Sequence, residues 1–486
     1  MRRIGVLGLL ALSSCMVGPD YHKPRLVVPA TYKTAQGWVQ AKPADGAPKG
    51  AWWTVFGDAD LNRLEPLVAV NNASLAADYY AYQQSLQIVQ EDRGTLFPSF
   101  GLTGSATRSG EGGGGASAIA ASGFARSTGP TTSGSFEGNG SWEVDIWGKI
   151  RRQVQGDVAA AQVSAADLAN ATLSAQAALA QDYVSLRAAD AETVLYQQTV
   201  TAYQRSLQIT ENQMAAGVAA PSDVITARTQ LEGAQAQLIN VGAARAQYEH
   251  AIALLIGRAP VELSIPPGQQ IADVPLTPPG VPSTLLERRP DIAAAERFMA
   301  EQNAYIGVAV GAYYPSLSLS AQGGYSADPI GGLFDVSNSL WSLGADASQT
   351  LFEGGVRSAS VSAAKNVYEE AVQTYRQTVL TAFQDVENDL SNLQIYAQQA
   401  QVQEQAVADA GRAVQIALNQ YEAGTVPYTT VVVAQVILLD DQISLLSIQQ
   451  LRLSASISLF QDLGGGFTAS DLPTAQQIQA KLPFAP

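Results

Sequence analysis

The sequence predicts a mainly α-helical chain with four β-strands of a transmembrane β-barrel and long coiled-coil helices, arranged in two similar halves. Three observations lead to this fold class. Two long stretches lack proline, four segments alternate apolar with polar residues, and a short pattern recurs in the second half of the chain.

The composition favours architecture over catalysis. The 486 residues include 28 Lys+Arg and 43 Asp+Glu, for a net charge of −15. Without a basic cluster, nucleic acid is a poor partner. A single cysteine, Cys15, and two distant histidines, His22 and His250, exclude internal disulfides and Cys/His zinc sites. The sequence offers no cofactor site.

The N-terminus has the pattern of a signal peptide, residues 1–14. Basic residues at Arg2 and Arg3 precede a short apolar stretch that is too short to span a membrane. The sequence Leu12-Ser13-Ser14-Cys15 is similar to a bacterial lipobox, which predicts an acylated Cys15 as the mature N-terminus. An ordinary signal peptide with an incidental cysteine is the alternative. Met16, in place of the aspartate that retains such lipoproteins in the inner membrane, favours the outer membrane.

Any further membrane passage is expected to use strands. No other window reaches about 18 consecutive apolar residues, and the nearest, Val431 to Leu439, is interrupted by Gln435. Four segments alternate as membrane strands do. A soluble half-buried sheet would show the same period, and the lipobox favours the barrel. The four segments are 99–107, 135–146, 316–325 and 341–348.

The rest of the chain is predicted to form helices of unusual length. From Lys149 to Ala216 and from Gly354 to Ala423 there is no proline, and at 1.5 Å per residue each helix would run roughly 100 Å. Glycine ends each helix and proline begins the next. Heptad spacing then predicts coiled coil. The heptad residues are Val224, Leu231, Leu238, Arg245 and Ile252, with Ala227, Ala234, Val241, Tyr248 and Leu255, and later Val432, Leu439, Leu446, Leu453 and Phe460.

The two halves are an internal duplication. Asn212-Gln213 with Ala216-Gly217 recurs as Asn419-Gln420 with Ala423-Gly424. Each half is predicted to contain a helix, a β-hairpin and a long helical hairpin. The predicted segments are an equatorial segment with the first helix (15–95), the first β-hairpin (96–148), the first helical hairpin (149–258), a linker with the second-repeat helix (259–312), the second β-hairpin (313–353), the second helical hairpin (354–464) and an equatorial tail (465–486).

Four strands cannot close a barrel, because their open edges cannot be satisfied in lipid. Oligomerisation is therefore expected. Two copies would give eight strands with a filled interior, whereas three would give twelve strands and a wider lumen. A conduit favours the homotrimer.

The sequence resembles the outer membrane factor (TolC-like) family of efflux systems, in its NodT-type lipoprotein branch. The resemblance implies a trimer with a twelve-stranded outer-membrane barrel, a twelve-helix periplasmic tube and an equatorial belt, docked on a periplasmic adaptor protein and an inner-membrane pump. The residues that carry it are Cys15 with Gly18-Pro19-Asp20-Tyr21, Trp52-Trp53 with Phe56 and Asp58, Arg288-Arg289-Pro290-Asp291, Tyr314-Pro315-Ser316 and the repeated Ala-Gly turns.

The resemblance implies a passive exit duct for drugs or other small molecules in a tripartite, RND-type efflux system. The exit channel of type I protein secretion and a non-conducting periplasmic spacer lipoprotein are the alternatives. An enzyme is not expected. Gly110 to Gly115 satisfies a dinucleotide-binding pattern without the helix that such a site needs, and the pairs Glu369-Glu370 and Asp440-Asp441 lie in predicted coiled coil.

The helical turns are the candidate periplasmic mouth. Residues 216–222 and 423–428, which contain Gly217 and Gly424, would give six tips in a trimer and are the expected adaptor-docking surface. Related lipoprotein channels place a gate on the second hairpin, with Leu and Asp five and nine residues after the tip glycine.

Those two gate positions are Thr429 and Val433 here, which predicts steric rather than charge-based closure. The nearest carboxylates, Asp223 and Glu422, could supply negative charge. Asp223 could equally stabilise the first turn of its helix.

Overall fold

A computed structural model describes residues 16–24, 51–110, 130–269, 274 and 288–480. Cys15, the signal peptide, Gly112 to Gly115 and most of the linker between the halves lie outside the described residues. The helices are α1 (Ala59–Asn71), α2 (Ala73–Gly94), α3 (Lys149–Ala215), α4 (Pro221–Leu255), α5 (Pro290–Gly311), α6 (Val356–Glu422), α7 (Tyr428–Asp462) and α8 (Ala475–Ala480). The strands are β1 (Ser99–Ser109), β2 (Thr131–Glu143), β3 (Ser316–Ala327) and β4 (Ser339–Ser348).

The lengths of the long helices confirm the internal duplication. Helices α3 and α6 each contain 67 residues, and α4 and α7 each contain 35. At 1.5 Å per residue, α3 and α6 each run roughly 100 Å. Each half of the chain therefore carries one long helical hairpin.

The four predicted strands are confirmed, and they form one antiparallel sheet in the order β1-β2-β3-β4. The central pairing, in which Phe136 lies opposite Tyr325, joins the two halves of the chain. Every residue of β1 is exposed. Within the described residues, the outer edges of β1 and β4 pair with no further strand. The sheet is thus open at both edges.

The predicted second strand was too long at its end. The alternation had been extended to Ile146, but β2 ends at Glu143. The Asp145 carboxylate instead accepts hydrogen bonds from the backbone N–H groups of Ile150 (3.1 Å) and Arg151 (3.0 Å). It caps α3, because the residue that precedes the helix, Gly148, has no side chain to do so.

The helices pack around α3, which contacts α2, α4, α5 and α7, while α6 packs along α7. The first heptad pattern is confirmed at Val224, Ala227, Ala234, Val241 and Ile252, which are buried. The pattern is less complete on α7, where Leu453 is the one predicted heptad residue that is fully buried within the chain. Much of the apolar surface of α7 is therefore uncovered in a single copy.

Helix α7 is also long and apolar enough to cross a membrane by length and composition alone, with a mean hydropathy of 1.8 over eighteen residues. It carries adjacent acids, Asp440 and Asp441, near its midpoint and packs along α6. We interpret it as a helix of the second hairpin.

The largest apolar cluster lies beside the middle of α3 and the end of α7. A short 3-10 helix, Trp52–Phe56, contributes its aromatic rings to this cluster. Trp52 stacks on Phe460 with ring centroids 5.7 Å apart. Asp58 then caps α1 and accepts a hydrogen bond from the Tyr183 hydroxyl (2.7 Å). The N-terminal part of the chain is thereby fixed to the helical body.

Candidate functional site

The first helical turn is built by glycine and proline. Gly217 has φ +77°, and the N–H of Val218 donates to the carbonyl of Gln213 (2.8 Å), which closes the end of α3. Pro221 begins α4, and the half-buried Asp223 lies in its first turn. That position suits an acid, because the N-terminus of a helix carries partial positive charge.

The second turn repeats this geometry with a different charge pattern. Gly424 has φ +68°, and the N–H of Thr425 donates to the carbonyl of Gln420 (2.9 Å). Helix α7 has no acid in its first turn. Glu422 is instead the last residue of α6 and is exposed. A carboxylate at a helix C-terminus is electrostatically unfavourable, so helix stability does not account for it.

The two turns are held together. The Gln213 side chain donates to the carbonyl of Tyr421 (3.3 Å), and the rings of Tyr421 and Tyr428 lie 5.2 Å apart. Ala227 of α4 packs in the same buried cluster as these tyrosines. Burial raises the pKa of Tyr428 to about 12, so its hydroxyl is neutral at physiological pH. The tips of both hairpins therefore form one unit.

The two predicted gate residues share one face of α7. Thr429 and Val433 are four residues apart and exposed, as expected for one helical stripe. Both line an apolar groove of about 590 Å³ between α6 and α7, together with small side chains such as Ala410, Ala413 and Ala417. The groove holds no charged side chain among its lining residues.

The predicted carboxylates lie elsewhere. Glu422 lines a separate groove of about 530 Å³ between α3, α6 and α7, which also contains Arg205. Asp223 lies on the first hairpin and lines neither groove. The structure therefore brings Thr429 and Val433 together and separates them from both acids.

The polar residues that fix this region carry no clear signal in the sequence. The Gln435 side chain donates to the Ser206 hydroxyl (2.9 Å) in a buried contact between α7 and α3. The other amide atom of Gln435, Oε1, has no partner among the described residues. The sequence signal for the ring contact was a tyrosine on each side of the Gly424 turn. The Gln435–Ser206 contact had no such signal in the sequence, since 229 positions separate the two residues.

Ion pairs fix the middle of the molecule. Pro290 starts a helix after the linker, and Arg289 orients it through bonds to Asp291 (2.8 Å) and Asp462 (3.0 Å). Burial and the neighbouring acids Asp462 and Asp385 raise the pKa of Asp389. One guanidinium thus faces several carboxyl groups at the junction of α5, α6 and α7.

A second buried network joins the first helical hairpin to α1. The Arg187 guanidinium bonds Asp190 and Asp60, each at 3.0 Å, and Arg245 bonds Asp190 at 2.6 Å. The sequence had shown Arg245 only as a heptad residue. Among the described residues no group of three or more His, Cys, Asp or Glu is placed to hold a metal ion.

Comparison with known proteins identifies the family. The family described as "Outer membrane efflux protein" matches residues 66–258 and 281–465. The chain belongs to this family. It is an outer membrane efflux channel protein, and the family is one of efflux ducts rather than of enzymes.

Relatives and solved structures agree along nearly the whole chain. The "Probable efflux pump outer membrane protein TtgC" of Pseudomonas putida strain KT2440 is 29% identical over 482 residues, which cover 97% of each chain. The "Solvent efflux pump outer membrane protein SrpC" of Pseudomonas putida is 30% identical over 484 residues, 96% of this chain and 99% of SrpC. The structure of the outer-membrane channel OprN superimposes with a TM-score of 0.84 at 26% identity, covering 93% of this chain and 99% of OprN.

Proposed function

We propose that three copies of this chain form a passive exit duct for drugs or other small molecules in a tripartite, RND-type efflux system. The observation that carries the proposal is the four-stranded sheet with two open edges, joined to two helical hairpins of equal dimensions. The duct supplies a path, and its partners supply the energy.

The open sheet supports a trimer. Unpaired strand edges cannot remain in the hydrocarbon, so copies must pair edge to edge until the barrel closes. Three copies give twelve strands and a lumen, whereas two give eight strands whose interior side chains fill the barrel. Other uncovered apolar residues of α7, among them Val436 and Leu451, provide a second surface for contact between copies.

In the trimer, the helical hairpins form a periplasmic tube that ends at six turns. Residues 15–95 and 465–486 contribute to the equatorial belt, and the β-hairpins within 96–148 and 313–353 form the barrel. Turns 216–222 and 423–428 lie at the far end of the helices and dock on a periplasmic adaptor, which connects the duct to an inner-membrane pump. Exposed Val218 at the tip supports this assignment.

The duct closes by steric contact at Thr429 and Val433. Their groove is apolar, and no acid lines it. A ring of such side chains would narrow the pore by bulk and dewetting. Asp223 and Glu422, at the same end of the molecule, would tune ion preference at the mouth.

The chain is anchored in outer membrane lipid through an acylated Cys15, as in NodT-type lipoproteins. The lipobox-like sequence is the evidence for this part of the proposal. Mass spectrometry of the N-terminal peptide from membrane-isolated protein tests it, and a free, unmodified Cys15 would refute it.

Small-molecule efflux is favoured over type I protein secretion, because the relatives TtgC and SrpC are named as efflux pump components. Purified protein in planar bilayers should conduct without an energy source. In cells, cysteine introduced at Val218 should crosslink to the adaptor. A protein that never conducts would support the spacer alternative. Crosslinks confined to the barrel end would show that the orientation is opposite to the one proposed.

A further inference from the structure

The N-terminal residues 16–24, here called the N-terminal strap, lie in a socket at the start of α3 and along α5. The N–H of Val17 donates to the carbonyl of Trp147 (3.0 Å), just after β2. Asn303 of α5 donates to the carbonyl of Pro19 (3.0 Å), and the Tyr21 hydroxyl donates to Glu296 (2.6 Å). The strap is thus bonded both to the end of the strands and to a helix of the second half.

The floor of the socket is a buried arginine. The Arg152 side chain is 1% exposed and donates to the carbonyls of Val17 (3.1 Å) and Gly18 (3.2 Å) and to the Asp20 carboxylate (3.0 Å). A further hydrogen bond from its side chain goes to Gln155 (2.8 Å) on its own helix. A buried guanidinium without a counter-charge is costly, so the position of Arg152 depends on a docked strap.

One side of the socket is formed by a close contact between two glycines, Gly18 and Gly307. A Cβ on Gly18 would lie 2.4 Å from the Cα of Gly307, and a Cβ on Gly307 would lie 2.8 Å from the Arg152 side chain. Gly18 also has φ +97°, which side-chain-bearing residues rarely adopt. Backbone and guanidinium therefore fit together only where both residues are glycine.

The socket lies at the end of the strands nearest the helices. The Trp147 indole donates to the carbonyl of Pro315 (2.8 Å), beside β3, and its ring stacks on Tyr314 at 4.8 Å. Aromatic rings at strand ends mark the membrane interface of a barrel. Met16 packs against Gly148 at the same level, since a Cβ on Gly148 would lie 2.6 Å from Met16.

We propose that this socket is a receptor for the chain's own Gly18-Pro19-Asp20-Tyr21 segment, and that Arg152 is the positioning residue that fixes the N-terminus to the rim of the barrel. The role as an anchor point rests on the proposed acylation of Cys15. Docking then places the acyl chains at the membrane surface beside the strands of the same chain, and it locks α5 onto α3.

Hydrogen exchange of the full-length protein, measured by mass spectrometry on peptides covering residues 16–24, tests the proposal. Asp20→Asn removes the ion pair at a residue whose own side chain is 81% exposed, so the substitution creates neither a cavity nor a clash. Gly307→Ala obstructs the socket itself. In both variants the Val17 N–H, the strap amide that donates to Trp147, should exchange roughly tenfold faster, the effect of losing a charge-assisted hydrogen bond that holds the strap in place.

Three matched variants should leave strap exchange as in the unmodified protein. Asp20→Glu keeps the carboxylate. Asp409→Asn removes another exposed acid that pairs with an arginine, and Gly233→Ala adds a methyl group where nothing lies within 4 Å. Unchanged exchange in Asp20→Asn, or a strap that exchanges as fast as an unstructured peptide, would overturn the proposal.

The mass of the peptide containing Cys15, measured in the same samples, separates this proposal from acylation. A protected strap with an unmodified Cys15 refutes the anchor and retains the socket. An unprotected strap on an acylated chain refutes the socket and retains the anchor.

Discussion

Glu65 of α1 is buried, and none of the described residues forms a hydrogen bond with its carboxyl group. The residue has 0% exposure on the same helical face as Leu61 and Val68, and neither carboxyl oxygen has a hydrogen-bond partner among the described residues. Burial raises the pKa of Glu65 from 4.5 to about 9. The folded protein therefore holds a neutral Glu65 at pH 7, whereas the unfolded chain ionises it.

The sign and size of the effect follow from this difference in proton binding. Because the folded-state pKa is raised, the stabilisation is complete below about pH 4.5 and decreases as the pH rises towards about 9. Within this range, each pH unit lowers the free energy of unfolding by about 1.4 kcal/mol. About 3 kcal/mol of stability is therefore lost between roughly pH 5.5 and pH 8. For a chain of this length, that corresponds to about 3 °C in Tm.

Glu65→Gln keeps the shape of the side chain and removes the ionisation. Its Tm relative to that of the unmodified protein should rise by about 3 °C when the pH is raised from roughly 5.5 to 8. Thermal unfolding in detergent, followed by circular dichroism, measures this difference. The matched control is Glu262→Gln, at an exposed glutamate. If Glu65→Gln has the same pH slope as the unmodified protein, Glu65 is not neutral in the folded state.

Further predictions concern the gate, the ion preference at the mouth, the buried acid Asp389 and the second turn. Val433→Ala with Thr429→Gly should raise single-channel conductance in planar bilayers, and Asp223→Asn should chiefly weaken cation preference; unchanged conductance in the double variant would place the constriction elsewhere. Because the pKa of Asp389 is raised from 3.8 to about 8, the stability that its neutral form contributes is lost as the pH rises between these two values. Asp389→Asn should therefore reduce the loss of Tm between about pH 4 and about pH 8, and an unaltered profile over that range would contradict this. Gly424→Ala should cost about 1 kcal/mol through its φ of +68°, since nothing lies within 4 Å to clash; an unchanged midpoint of unfolding in Gly424→Ala would show that the turn tolerates a side chain.

Local chemistry explains what the sequence could predict. The Gly217 and Gly424 turns are encoded by adjacent residues, because glycine ends a helix and proline starts the next one. The absence of proline between such turns fixed both long helices to within two residues of their ends. Strand alternation likewise depends on neighbours, and it ran past the end of a strand only at β2, where the Asp145 carboxylate caps a helix instead.

The contacts that the sequence could not predict join distant parts of the chain. Arg152 had no recognisable partner, because its acid, Asp20, lies 132 positions away. The burial of Glu65 depends on how α1 packs against the rest of the fold, and the residues next to it in the sequence do not specify that packing. Thr429 and Val433 are exposed in a single chain. The pore that they are proposed to line exists only when copies of the chain assemble.

The mass of the detergent-extracted complex, measured by native mass spectrometry, gives the number of chains that assemble. Each chain contributes four strands with two open edges, so the account predicts a complex of three chains and twelve strands. A complex of two chains, or a stable monomer with its sheet edges unpaired, would contradict it.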